Sequence, residues 1–218
     1  MYMSNPKKNI ENIRVDYNKS NIDYNQMPDS PFELFKFWLD KAILVDNENA
    51  NAFVLSTVSS NSLPSSRVVL LRGLDNNGLT FFTNYNSSKS LDIDINNNVS
   101  INFFWPQLEK QVRILGSASK ISSDESDIYF NSRPKHSQLG ALLSNQSTEI
   151  SLDHEYTNHL SKLEAEHVNK KVIRPKYWGG YRVKPEYFEF WQGRPSRLHD
   201  RLCYSYKNNS WLKTRKSP

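Results

Sequence analysis

From Ala52 to Ile121 the chain breaks into short runs of apolar and polar residues, and most of the links between them are too short to hold a crossover helix. Ala52 to Val58, Ser65 to Arg72, Leu79 to Thr83, Val99 to Trp105 and Lys110 to Ile121 each read as a strand. Ser59 to Pro64 and Asp75-Asn76-Asn77-Gly78 supply turns between them. Parallel neighbours need a crossover of about a dozen residues or more, so these links imply an antiparallel sheet closed into a barrel. A short helix near Ser87 to Ile95 interrupts it. Other helices flank it. Ser30-Pro31-Phe32-Glu33 is a start signal, with Ser30 as cap, Pro31 in the first turn and Glu33 completing a capping box. Leu34, Phe35, Trp38, Leu39, Ala42 and Ile43 follow at helical spacing. Ser122-Ser123-Asp124-Glu125 opens a second helix to about Asn131, a third ends at Leu143, and a charged one runs from Ser151 to about Lys170. The expected fold is mainly β with flanking helices (α+β), an antiparallel, Greek-key-like barrel. Residues 29–218 form one domain, and the Asn-rich residues 1–28 form a flexible segment.

Composition narrows the partners. The single cysteine, Cys203, excludes an intramolecular disulfide and fits a reducing cytoplasm. No apolar run approaches the ~20 residues that span a bilayer, and residues 1–20 lack the apolar region of a signal peptide. A net charge of +5 favours anionic partners. There is no glycine-rich phosphate cradle, so a phosphate would be held by Arg and Lys side chains. His154, His159 and His167 have the wrong spacing for a zinc pair, and no metal is expected.

The stretch Glu186 to Arg201 carries the strongest chemical hint. Glu186 to Gln192 reads as an aromatic strand, Gly193 and Pro195 break it, and a strand resumes at Arg197. Alternation then puts Arg197, His199 and Arg201 on one face, with Asp200 on the other. Three cations in a row need either carboxylates from elsewhere or a bound anion. Trp191 offers a flat surface beside them, which suits a planar, phosphorylated molecule. A basic strand face is ordinarily solvated or salt-bridged, so both readings stand on pattern alone.

Glu189-Phe190-Trp191-Gln192-Gly193 and Arg197-Leu198-His199-Asp200-Arg201, at this separation, resemble the C-terminal signature of the pyridoxine/pyridoxamine 5′-phosphate oxidases. The resemblance implies an FMN-binding split β-barrel, working as a cytoplasmic homodimer with FMN at the interface. It implies oxidation of pyridoxine 5′-phosphate and pyridoxamine 5′-phosphate to pyridoxal 5′-phosphate, with hydride passing to flavin N5 and O2 giving hydrogen peroxide. Arg67-Val68-Val69-Leu70-Leu71-Arg72 is similar to the family's Arg-x-x-Leu-Leu-Lys strand, whose first Arg meets the FMN phosphate. Arg72 replaces the family's lysine, so a planar fork stands where a point charge would. Phe82-Thr83 and Ser87-Ser88-Lys89 follow. The family has Ser-Arg-Lys there, so Ser88 marks a missing cation, and FMN is expected to bind less tightly. Gln111, Gln146, Ser147, Trp191 and Arg201 complete the implied cofactor set. For the substrate the resemblance implies Tyr129, Arg133, Ser137 and Arg72 at the phosphate, Arg14 and Tyr17 in a flap, and the catalytic Arg197 and His199 at the pyridine ring. His199 could bond a ring substituent or assist proton removal.

Two other readings are open. One is a flavin reductase-like enzyme on the same split barrel. The other is a basic β-barrel that binds nucleic acid, with salt-dependent affinity and no flavin. The cations sit in short motifs beside Gln and Trp and make no continuous stripe, which argues against nucleic acid.

Overall fold

The computed structural model describes residues 10–218. Along the chain come helix α1 (Pro31–Val45), strands β1 (Ala52–Val58), β2 (Pro64–Leu70), β3 (Gly73–Asp75) and β4 (Gly78–Asn84), and helix α2 (Ser88–Ile95). Strands β5 (Asn98–Trp105) and β6 (Lys110–Lys120) follow, then helices α3 (Ser123–Ser132), α4 (Lys135–Leu143) and α5 (Tyr156–Glu166). Strands β7 (Trp178–Gln192), β8 (Asp200–Lys207) and β9 (Ser210–Arg215) close the chain.

Every strand pair among the described residues is antiparallel, in the order β2-β1-β5-β6-β7-β4-β3. The 15-residue β7 organises the sheet. One edge pairs with β6 from Gln192 opposite Lys110 to Tyr181 opposite Lys120. The other edge is shared: Trp178 to Val183 pair with β4, and Tyr187 to Gln192 pair with β8. The sheet therefore splits where Pro185 has no N–H to give. β2 approaches β4 to close the barrel, and the Arg72 amide donates to the Thr80 carbonyl at 2.8 Å.

Gly116 sits at the register shift opposite that split. A Cβ there would lie 2.2 Å from the Lys184 carbonyl oxygen and 2.9 Å from the Pro185 Cα. Both obstacles are backbone, so Gly116→Ala should cost about 1–3 kcal/mol, seen as a lower urea midpoint at unchanged slope.

Alternation places Phe53, Leu55, Ile101, Phe103, Val112, Ile114, Phe188 and Phe190 inside the barrel, all at 2 % exposure or less. α1 packs onto them, with Phe35 5.1 Å from Phe103 and Trp38 5.3 Å from Phe190, ring centre to ring centre. A smaller cluster of Phe130, Leu139, Val172 and Trp178 joins α3, α4 and α5 to the barrel flank.

The capping box of Ser122 and Glu125 forms as expected. Ser30 takes the N-cap position of α1, but its side chain makes no capping bond, and Ile43 is exposed on the far side of that helix. α5 is shorter than its charged sequence suggests, because only Leu160 and Leu163 anchor it. The last hairpin turns on Asn208 and Asn209, both left-handed (φ 49° and 60°), as a two-residue turn requires.

The expected row of cations does not form. No strand resumes at Arg197. Pro195–Arg197 is a 3-10 turn with Ser196 and Arg197 at φ 56° and 61°, and β8 starts only at Asp200. Pro195 opens the turn, and the Leu198 amide closes it on the Pro195 carbonyl. Arg197 and His199 therefore do not line up with Arg201.

Residues 17–28, expected to be mobile, lie along the sheet. The Lys19 amide donates to Glu109 at 2.9 Å, and Asp200 accepts from the Ile22 amide and the Tyr24 hydroxyl. No described helix is long and apolar enough to cross a membrane.

Candidate functional site

A cleft of about 1160 Å³ lies between β2, the end of β4, the start of α2 and the corner between α3 and α4. It gathers most of the residues singled out from the sequence: Arg67, Val68, Val69, Leu70, Arg72, Phe82, Thr83, Ser88, Lys89, Tyr129, Arg133, Ser137, Gln146 and Ser147. Leu71 is the exception in its run, since its side chain is buried in the core.

Among the described residues four cations line this cleft, and no Asp or Glu does. Lys89 is 7 % exposed, and its ammonium donates only to neutral oxygens: Thr83 Oγ1 at 3.0 Å, Ser87 Oγ at 2.9 Å and Gln146 Oε1 at 3.2 Å. Burial, and then the nearby Arg67 charge, push its pKa down to about 8. Arg67 donates to Thr57 Oγ1 at 2.7 Å, to the Leu55 carbonyl and to Ser65 Oγ. Its counter-charge, Asp92, is reached only through the Thr57 hydroxyl, which donates to it at 2.6 Å. Burial lowers the Arg67 pKa, and Asp92 opposes that.

Arg133 caps the end of α3, just before Pro134 breaks the helix. Its guanidinium lies 4.6 Å over the Trp178 ring. Burial and the Arg72 charge both lower its pKa. One nitrogen, Nη1, is buried with no hydrogen-bond partner among the described residues. An unmet buried donor costs on the order of 1–3 kcal/mol, more when charged, so this group is built to receive an acceptor. Phe82, Tyr129 and Trp178 stack beside it, with Phe82 and Tyr129 3.8 Å apart. Val68 and Leu70 expose an apolar wall on β2. Cations short of acids, an orphaned guanidinium N–H and flat apolar walls together fit planar molecules bearing phosphate.

The remaining candidates lie outside this cleft. Gln111, Trp191 and Arg201 stand in register across β6, β7 and β8. Trp191 is 4.6 Å from the His199 ring, and Tyr17 meets both edge-on, at 5.6 and 5.9 Å. His199 Nδ1 accepts from the Arg194 amide at 3.1 Å. Burial, then the Arg197 charge, lower its pKa, so the ring is neutral near pH 7. Arg14 and Arg197 are exposed. Arg201 is neutralised by a carboxylate: its Nε and Nη2 both donate to Glu189 at 3.1 Å.

Two residues were missed from the sequence. Trp178 lines the cleft, and its signal was the Trp178-Gly179-Gly180 step, where Gly179 leaves room for the Tyr85 hydroxyl. Glu189 shares a strand face with Trp191 by simple alternation.

Comparison with known proteins agrees with this geometry. Residues 39–168 match the family model "Pyridoxamine 5′-phosphate oxidase", and residues 178–218 match "Pyridoxine 5′-phosphate oxidase C-terminal dimerisation region". A pyridoxine/pyridoxamine 5′-phosphate oxidase of Christiangramia forsetii is 46% identical over 97% of this chain and 100% of its own. One of Cytophaga hutchinsonii is 44% identical over 93% of this chain and 95% of its own. Among solved structures, PhzG from Burkholderia lata, in complex with tetrahydrophenazine-1-carboxylic acid, superposes with a TM-score of 0.84 at 28% identity, covering 94% of this chain and all of that one. A pyridoxamine 5′-phosphate oxidase-related, FMN binding protein of Nostoc punctiforme superposes at 0.71 over 88% of this chain and all of its own, and at 17% identity it speaks for the fold alone. The first family model covers more than half of the sequence and the relatives match it nearly end to end, so the chain belongs to the pyridoxine/pyridoxamine 5′-phosphate oxidase family.

Proposed function

We propose that this protein oxidises pyridoxine 5′-phosphate and pyridoxamine 5′-phosphate to pyridoxal 5′-phosphate with FMN, in the cytoplasm, as a homodimer in which each subunit completes the other's site. The acid-free cleft with four cations carries this reading, because it offers more positive charge than one phosphate dianion needs. Lys89, Arg67 and the first turn of α2 hold the FMN phosphate, while Val68 and Leu70 form a wall for its ring. Arg133, Arg72, Tyr129 and Ser137 hold the substrate phosphate. The Gln111, Trp191 and Arg201 row lies on β6 and in the region matched to dimerisation, facing outward, and reaches a cleft on the partner subunit.

When bound, FMN would supply the two-electron acceptor that takes the substrate's C4′ alcohol to the aldehyde, or its C4′ amine to an imine that water hydrolyses to the aldehyde and ammonia, and O2 would restore it with formation of hydrogen peroxide. The chain supplies placement and charge. Arg197 covers the pyridine ring. His199 acts as a donor: its Nδ1 already accepts the Arg194 amide, so the neutral ring carries its proton on Nε2. That favours a hydrogen bond to a ring substituent over proton removal. Tyr17 closes over the same ring and excludes water.

An absorbance scan of purified protein tests this reading. A flavin band is expected that bleaches on anaerobic addition of pyridoxamine 5′-phosphate and returns with peroxide when air is admitted. Protein that stays colourless after incubation with FMN would overturn it.

A further inference from the structure

Glu189 takes no part in the reaction above, yet it is the most closely held charge on the outer face of β6, β7 and β8. It is 3 % exposed. Arg201 turns its fork onto it, Nε to Oε1 and Nη2 to Oε2, both at 3.1 Å. Arg113 Nη1 stands 3.6 Å from Oε2, and the Tyr187 hydroxyl donates to Oε2 at 3.0 Å. Strand register explains the gathering. Arg113, Glu189 and Cys203 form one row across the three strands, and Gln111, Trp191 and Arg201 form the next row on the same face.

We propose that Glu189 is a positioning residue for the flavin, aiming the Arg201 guanidinium beside Trp191 and Gln111. The inference rests on the reading above, in which that row faces FMN. A guanidinium has five N–H donors. Two of Arg201's go to Glu189 and one, from Nη1, goes to the Ser217 carbonyl at 2.8 Å, which leaves two to offer a ligand. The fork fixes the plane in which those two lie, because a bidentate pair has one geometry. The two guanidiniums and one carboxylate also leave one positive charge over, so the cluster still attracts an anion. A free Arg201 would be a long flexible cation that must be ordered at the moment of binding.

The test is a double-mutant cycle on FMN binding to cofactor-free protein, read by flavin fluorescence. Glu189→Gln keeps the shape and removes the charge, and should weaken binding by about tenfold, the scale of one charge-assisted hydrogen bond. In an Arg201→Met background the same change should do nothing further, because the residue acts through Arg201. A merely structural salt bridge would lower the melting temperature while Arg201 is present and leave FMN affinity alone, and that result would overturn the proposal. Losses that simply add would overturn it too. If Glu189→Gln does not fold, Glu189→Asp keeps the charge but withdraws the carboxylate by one methylene. It should weaken binding at least threefold, again only with Arg201 present. Wild-type protein that never takes up FMN would instead sink the reading of the whole site.

Discussion

Replacing Lys89 with methionine should weaken FMN binding about a hundredfold and at the same time stabilise the cofactor-free protein. Both effects follow from the same environment. The Lys89 ammonium is buried among hydroxyls and an amide, with Arg67 as its charged neighbour. A phosphate dianion removes that frustration through charge-assisted hydrogen bonds of about 1.5–3 kcal/mol each, and two of them make up the hundredfold. The pH dependence has a definite sign. An unfolded lysine titrates near 10.5 and the folded one at about 8, so between these values the unfolded chain binds the extra proton. Stability of the cofactor-free protein therefore rises with pH across that window. FMN affinity moves the other way, because the phosphate needs the charged form. Its dissociation constant should climb above pH 8, by up to about tenfold per pH unit for one linked proton. Lys89→Arg, which keeps its charge, should flatten that slope. Lys110 is also pushed down to about 8 by burial and by Lys41, but it lies over Trp38 and donates to Gln192, away from the cleft. Lys110→Met should change the stability profile and leave the slope of FMN affinity intact. An affinity that ignores pH in the wild type would remove Lys89 from the phosphate site.

Much of the fold was legible because it rests on local rules. The strands follow two-residue alternation, and the Asn208-Asn209 turn and the Ser122 capping box use residues suited to those backbone shapes. Ser30 shows the limit: the residue type allows a cap, but its side chain makes no capping bond. The break at Pro195 was visible, while the left-handed Ser196 and Arg197 that follow it were not, since neither residue type announces such a conformation. Reading the β2 motif whole swept in Leu71, which turns to the core. The separation of the candidate residues into a cleft and an outer row also escaped the sequence. Motif spacing groups the candidates, but strand register decides which face of the sheet each one occupies. Glu189 was hidden for a related reason. Its partners, Arg113 and Arg201, are brought to it only by the pairing of β6 and β8 with β7.

Arg133→Met should raise the KM for pyridoxamine 5′-phosphate by two to three orders of magnitude without lowering the melting temperature of the cofactor-free protein. A residue that serves only the fold cannot give that combination. Its buried Nη1 has no acceptor among the described residues, and Arg72 adds repulsion, so removing the guanidinium relieves two costs. The contact over Trp178 is lost in exchange, worth about 0.5–2 kcal/mol, and methionine restores part of it as packing. With substrate present the balance reverses. Two charge-assisted hydrogen bonds to the phosphate are worth roughly 3–4 kcal/mol, which is the expected change in KM. Unphosphorylated pyridoxamine supplies the control. It has nothing for Arg133 to hold, so wild type and variant should turn it over equally poorly, and the difference between the two substrates isolates the phosphate contact. Equal losses on both substrates would show that Arg133 shapes the cleft and does not grip its ligand. A fall in melting temperature of several degrees would show that the orphaned nitrogen finds a partner in solution and that the cleft is closed when empty.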